Sequence, residues 1–356
     1  MRKREVERFM EIKKCFDSNG FPDYDYIMGQ NIPFIVITGG RGIGKTFGAL
    51  YWHIKNKQYF MYLRRTQVQV DTIASDEFNV FRSINIKKGT NIYCFKKGQN
   101  YICAPATYDD KGKLKQNGDS IGVVSSLATL SNKRGFSADN ITTIIFDEVI
   151  PEKHERPIKG EDEVFQNAYE TINRNRELEG NSPVRCIMTT NSNGVNSRIL
   201  NTFGIVPILE RMHKQGKRIY INANRTLLII NMEDSPISER KKTTLLYSLV
   251  DKSSEFYKMA ISNSFSEFEQ KTKSEDLRQY KPVVTVGKIT IYKHKSQNTY
   301  YCTYHRSGTC DYYPDTEMEI KKAQRRYNFI KTAYFENKII FESISCKVDF
   351  EMYYNI

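Results

Sequence analysis

Residues 33–50 read PFIVITGGRGIGKTFGAL, an apolar β-branched run, a glycine-rich turn and a helix-prone run in direct succession. Phe34 to Thr38 has the composition of a buried strand. The turn fits G-x-x-x-x-G-K-[ST], with Gly39, Gly44, Lys45 and Thr46 in the fixed places and Gly40, Arg41, Gly42 and Ile43 between Gly39 and Gly44. Each residue type has a reason to be where it is. Glycines let the backbone curl round a phosphate, so that successive N–H groups face its oxygens. A helix opening near Lys45 adds the positive end of its dipole. The lysine ammonium reaches the β- and γ-phosphates, and the threonine hydroxyl ligates Mg²⁺. The competing reading, a glycine-rich turn that binds nothing, leaves the strand–loop–helix context unexplained. The stretch therefore predicts a nucleotide-binding P-loop, with ATP and Mg²⁺ as its ligands.

About a hundred residues on, Ile141 to Glu148 reads ITTIIFDE. Such a run is a buried parallel strand delivering acids at its C-terminal end, where α/β sheets bind ligands. Paired with the loop it predicts Asp147 on Mg²⁺ through water and Glu148 as the base that orients and deprotonates the attacking water. Taken alone it is a strand ending in two solvated acids. A helix over Glu161–Glu179 ends in NRNRE, and the strand Val184–Thr190 after it runs into Asn191. Asn191 is either a γ-phosphate sensor beside the acids or a turn residue before Ser192-Asn193-Gly194. Arg174 or Arg176 is either an arginine finger for a neighbouring subunit's nucleotide or a surface residue.

Further strands are predicted at Phe60–Leu63, ending in Arg64 and Arg65, and at Ile121–Val124. Asn91–Phe95 with Tyr101–Ala104, and Ile219–Ile221 with Leu227–Ile230, read as hairpins. Tyr108–Asp119 reads as a loop, and Leu130–Asn140, with Lys133 and Arg134, as irregular. Asp234-Ser235-Pro236 breaks the chain, and Ser238–Phe268 is polar and helix-prone. From Pro282 the pattern alternates, and a charged helix follows over Asp315–Ala333. The fold class is α/β with a mainly parallel sheet plus a small α+β domain. The division is 1–237 (ATPase domain), 238–270 (helical linker) and 271–356 (C-terminal domain).

Bulk properties narrow the class. The 356 residues are 39% hydrophobic and 12% aromatic, as in a folded protein of about two domains. No apolar run is long enough to span a bilayer, and the charged N-terminus, with Val6, Phe9, Met10 and Phe16, suggests an amphipathic helix and no signal peptide. Seven scattered cysteines with no C-x-x-C argue against disulfides or zinc. The net charge of +13 is shared between residues 1–237 and 270–356 and favours a polyanionic partner, most simply nucleic acid.

GGRGIGKT, IIFDE, RNRE and CIMTTN in this order, with MYLRRT and SERKKT, resemble the podovirus DNA encapsidation proteins, the genome-packaging ATPases of the phi29 type. The resemblance covers most of the chain, more loosely after residue 270. It implies a P-loop ATPase of the additional-strand (ASCE) type, working as a homo-oligomeric ring, a pentamer, at the portal vertex of a prohead in the host cytoplasm. Such a ring pulls double-stranded DNA inward at the expense of ATP, tethered in the family's best-known case by a prohead RNA, with no membrane involved. By position, Arg174 matches the family's trans-acting finger, Arg134 a basic residue that also crosses the subunit boundary, and Arg41 the arginine within the P-loop. Gln67 replaces a family lysine assigned to DNA. Tyr24 and Tyr26 are candidates for stacking on adenine.

Large terminases, which are related motors, carry a ribonuclease-H-like nuclease, whose two-metal site needs converging carboxylates. Val283–Lys293 and Thr299–Tyr304 contain no Asp or Glu, so the C-terminal domain is expected to be a nuclease-inactive relative that docks on RNA, portal or DNA. The alternatives are a motor that also cuts DNA and a scaffold that binds ATP and nucleic acid without turnover.

Overall fold

The structure, a computed structural model, describes residues 11–130, 138–151, 155, 158, 160–191, 194–233, 235–252, 254, 257 and 272–356. The predicted N-terminal helix falls mainly on residues 1–10, and Lys133 and Arg134 fall on 131–137, all outside the described residues.

The apolar run ahead of the glycine-rich turn is a central strand, β1 (Phe34–Thr38). The other strands of its sheet are β2 (Phe60–Arg64), β3 (Ile92–Lys97), β4 (Asn100–Tyr108), β5 (Leu114–Gln116), β6 (Gly122–Ser126), β7 (Thr143–Asp147), β8 (Arg185–Thr190), β9 (Ile219–Ile221) and β10 (Leu227–Asn231). Among the described residues the order is β3-β4-β6-β2-β7-β8-β1-β10-β9, with β5 on β4. From β6 to β10 every pairing is parallel, and the pairings beyond β6 and β10 are antiparallel. One strand, β8, separates the loop-bearing β1 from the acid-bearing β7. All five residues of β7 are buried, and β1 and β8 are buried after their first residue. That is why these segments read as continuous apolar runs: both faces of a central parallel strand are covered.

The helix Lys45–Lys55 starts as the P-loop pattern requires and buries Ala49, Leu50 and His53 against the sheet. The helix after β7 opens with Glu161, Asp162 and Glu163, which complement its dipole. It is shorter than predicted. It ends at Asn173, because Arg174 takes φ +47 and the Asn173 side chain accepts from the Val184 N–H at 2.8 Å. The predicted loop Tyr108–Asp119 gains a strand, because Asp109 accepts from the N–H groups of Lys111 and Lys113 and folds β5 back onto β4.

By contacts, one compact unit lies within Met1–Gly194 and Gly216–Ser264, and the other within Val195–Gln215 and Phe265–Ile356. The second unit holds a five-stranded sheet of β11 (Tyr280–Val286), β12 (Ile289–His294), β13 (Tyr300–Thr303), β14 (Asp311–Tyr313) and β15 (Ile339–Phe341), ordered β14-β11-β12-β13-β15. Its helix Ile344–Tyr354 is buried along most of its length, with Val348, Phe350 and Tyr353 in the core. Asp349 on that helix accepts from Asn201 Nδ2 at 2.8 Å, which ties residues 198–214 to this unit. The single helix predicted over Asp315–Ala333 is two, Glu317–Arg326 and Asn328–Phe335. They break at Tyr327, whose hydroxyl donates to Asp311 at 2.6 Å. No helix among the described residues is long and apolar enough to cross a membrane.

Candidate nucleotide site

Beyond Thr38 the chain turns through Gly42 (φ +70) and Gly44 (φ +91), a left-handed region open to glycine. A Cβ on Gly44 would lie 2.9 Å from the Phe21 ring, so the close approach also excludes any side chain there. The turn wraps the Lys45 ammonium, which donates to the carbonyls of Gly39 at 2.8 Å and Gly40 at 2.7 Å and to Asn191 Oδ1 at 3.1 Å. Burial pushes the Lys45 pKa down to about 7, against the opposing pull of Asp147 and Glu148.

Thr46 Oγ1 donates to Asp147 Oδ2 at 2.9 Å, across the 101 residues that separate them. The loop and the acid doublet thus meet at the carboxyl ends of β1 and β7 in one sheet, and Asn191, at the end of the intervening strand, joins them. A hydroxyl and a carboxylate in contact are oxygen ligands of the kind Mg²⁺ takes, and the glycine cradle with a buried ammonium at its base fits a polyphosphate. A cavity of about 1030 Å³ opens here, its lining including polar Arg41, Lys45, Thr46, Asp147, Glu148 and Asn191 and aromatic Phe21, Phe47, Tyr51 and Trp52.

Asp147 is held from three further directions. Tyr62 OH donates to its Oδ2 at 2.6 Å, Arg64 Nη1 at 3.1 Å, and Thr189 Oγ1 donates to Oδ1. The same guanidinium reaches Glu148, Nη2 to Oε2 at 2.5 Å. Glu148 sits at φ +57, a conformation that costs a non-glycine residue about 1 kcal/mol. The Arg64 contact and the bond from Val149 N–H to the Thr189 carbonyl keep it there. Arg65, almost fully buried, turns the other way, onto Glu161 (2.6 Å) and Glu155.

Tyr62, Arg64 and Thr189 are site residues that motif reading missed. The available signal was polar residues two apart in an otherwise apolar strand, Tyr62 and Arg64, near the strand end that faces ligands. Tyr24 is not a free stacking surface. It is buried, its ring packs on Gly48, and its hydroxyl donates to the Lys45 carbonyl at 2.8 Å. Tyr26 does not line the cavity. Gln67 is engaged locally with Asp71 and Ser126.

Arg174 and Arg176 are not part of this cluster. Arg174 Nη1 donates to Asp139 Oδ1 at 3.2 Å, and Arg176 Nη2 to the Asp139 carbonyl at 2.6 Å. Asp139 precedes β7, so both arginines lie at the end of the sheet opposite the acid doublet. Arg134 lies outside the described residues.

Residues 16–291 match the family described as Podovirus DNA encapsidation protein (Gp16). The DNA packaging proteins of Bacillus phages PZA and phi29 are each 26% identical over 235 residues, 64% of this chain, and the chain spans 61% of their length. A chain of the Phi-28 gp11 DNA packaging motor matches with a TM-score of 0.64 at 17% identity, over 95% of this chain and 98% of that one. A chain of the bacteriophage Phi-29 viral genome packaging motor assembly matches with 0.58 at 18%, over 94% and 98%. At such identities likeness of structure speaks for the fold alone. The family match runs through the phosphate loop, the acid doublet, the NRNRE run and the SERKKT segment, and on that extent the chain belongs to the podovirus DNA encapsidation protein family.

Proposed function

We propose that this chain is the ATP-hydrolysing subunit of a homo-oligomeric ring, a pentamer, that drives double-stranded DNA into a phage prohead. One observation supports it above the others: Lys45, Thr46, Asp147 and Asn191 converge at the carboxyl ends of adjacent strands, with Glu148 next in sequence. The strand between β1 and β7 supports reading the fold as a P-loop ATPase of the additional-strand class. The loop N–H groups and Lys45 bind the β- and γ-phosphates, and Asn191, 3.1 Å from the Lys45 ammonium, serves as the γ-phosphate sensor. Thr46 and Asp147 would hold Mg²⁺, which would neutralise charge developing on the β- and γ-phosphates. Glu148 takes the proton of the attacking water. Arg174 lies at the far end of its own sheet from the phosphate loop, and its charge serves a neighbour's nucleotide; by family position Arg134 is the second basic residue of that role. Basic residues hold DNA phosphates without reading bases, as a motor on any sequence requires.

The five-stranded C-terminal unit is a nuclease-inactive relative of the ribonuclease-H-like domain and docks the ring, in the host cytoplasm, on the prohead portal or a prohead RNA. Its first three strands carry no Asp or Glu. Phosphate release from the full chain, with and without linear double-stranded DNA, combined with particle counting of assembled rings, tests the proposal. Mg²⁺-dependent hydrolysis raised several-fold by DNA is the expected result. ATP binding without turnover in the presence of DNA and rings would make the chain a scaffold, and metal-dependent nicking of the DNA would contradict the inactive second unit.

A further inference from the structure

The segment after β10 carries Ser238-Glu239-Arg240-Lys241-Lys242-Thr243, which the hydrolytic scheme above leaves unused. One of its residues lies on the phosphate loop. Lys241 Nζ donates to the carbonyl of Arg41, 200 residues earlier in the chain. The same nitrogen is 3.2 Å from where a Cβ on Gly42 would stand. Gly42 therefore serves two needs at once, the left-handed φ of +70 and room for an ammonium at the crest of the loop.

The position is built in several steps. Met232 N–H donates to the Thr38 carbonyl at 2.8 Å, which lays the chain across the end of β1. Ser235 is fully buried, and Pro236 opens the helix Pro236–Lys241, whose Ile237 and Ser238 are buried. Pro236 packs against Gly20, where a Cβ would come within 2.7 Å of the proline Cβ. At the far end of the helix the Thr244 N–H and hydroxyl both donate to the Lys241 carbonyl, and the Lys241 ammonium stands 5.6 Å from the ring centre of the buried Tyr247. Partial burial lowers the Lys241 pKa, and its charge in turn opposes that of Lys45. Three cations, Arg41, Lys45 and Lys241, thus share one loop at a cost that a bound polyanion offsets.

We propose that Lys241 is a positioning residue of the triphosphate site, pinning the loop through the Arg41 carbonyl so that its N–H groups face the β- and γ-phosphates. The inference rests on the ATP-site reading and extends it, since it makes the segment after β10 part of the site. Loss of the pin weakens the site for ground state and transition state alike, so KM rises while kcat stays near its original value.

The test is titration of the full chain with a fluorescent non-hydrolysable ATP analogue, alongside ATP turnover. The proteins are wild type, Lys241→Ala, Lys241→Arg and Lys45→Ala, each with its thermal midpoint. Lys241→Ala is expected to bind the analogue about tenfold more weakly, with KM raised to match and kcat within about twofold, and Lys241→Arg to recover most of the affinity. Wild-type affinity in Lys241→Ala, with Lys45→Ala impaired, overturns the role of Lys241 and leaves the ATP site standing. Equal binding by wild type and Lys45→Ala overturns the ATP-site reading itself. If Lys241→Ala also melts early, Lys241→Arg decides: recovered binding supports the pin, and a loss like that of alanine at a wild-type midpoint overturns it.

Discussion

At the scale of single residues, the roles proposed for the acid doublet follow from what each carboxylate touches. Asp147 is enclosed by Thr46, Tyr62, Arg64 and Thr189, whereas Glu148 meets Arg64 and faces the cavity. Glu148→Gln keeps the shape and removes the proposed base, so turnover should fall about 10²–10⁴-fold while ATP affinity changes by less than about threefold. Wild-type turnover in that variant would remove Glu148 from its role. Lys45 carries a second prediction. Its pKa is about 7 with the site free, and a bound polyphosphate favours the charged ammonium and raises it. Binding should therefore take up a proton above about pH 7 and none near pH 6, with affinity falling as pH rises through that point. Calorimetry in two buffers of different ionisation enthalpy reads the uptake, and buffer-independent heats at pH 8 would contradict it. Lys45, Thr46, Asp147 and Glu148 were legible because each motif is local and its spacing carries the chemistry. Tyr62, Arg64, Thr189 and Lys241 were not, since only the order of strands in the sheet, or a contact made 200 residues away, brings them to the loop.

Among the elements, the helix Lys45–Lys55 links the site to the stability of the sheet. His53, fully buried on that helix, donates from Nδ1 to the Ala49 carbonyl at 2.8 Å, and its Nε2 has no partner. Desolvation lowers its pKa from 6.5 to about 4. The unfolded chain therefore binds the proton first, and stability is lost as pH falls from about 6.5 to about 4, by about 3 kcal/mol in all. Urea unfolding between pH 7 and pH 4 should show this slope in wild type and a flatter one in His53→Leu. Equal slopes would place the acid sensitivity elsewhere. Strands were the most legible elements, because the apolar run of β1 and the threonine-bearing run of β7 are what a doubly covered sheet demands. Element ends were less so. The stop at Asn173 depends on a side-chain bond to Val184, and the break at Tyr327 on a hydroxyl bond to Asp311, neither of which periodicity encodes.

For the whole molecule, the proposed ring around DNA would account together for the charge of +13 and the placement of Arg174. The arginine stands at one end of its sheet and the phosphate loop at the other, so under the proposed function a closed head-to-tail ring is the arrangement in which each site would borrow its finger from next door. This was the least legible level. Nothing local in NRNRE distinguishes a surface arginine from a shared one, and only the fold places Arg174 away from its own Glu148. The decisive experiment is DNA-stimulated phosphate release from mixtures of Lys45→Ala and Arg174→Ala subunits. Each variant alone should be inactive. A mixture should recover turnover, because some interfaces pair an intact loop with an intact arginine. No recovery at any ratio, or wild-type turnover from Arg174→Ala alone, would contradict a hydrolytic site shared between neighbours.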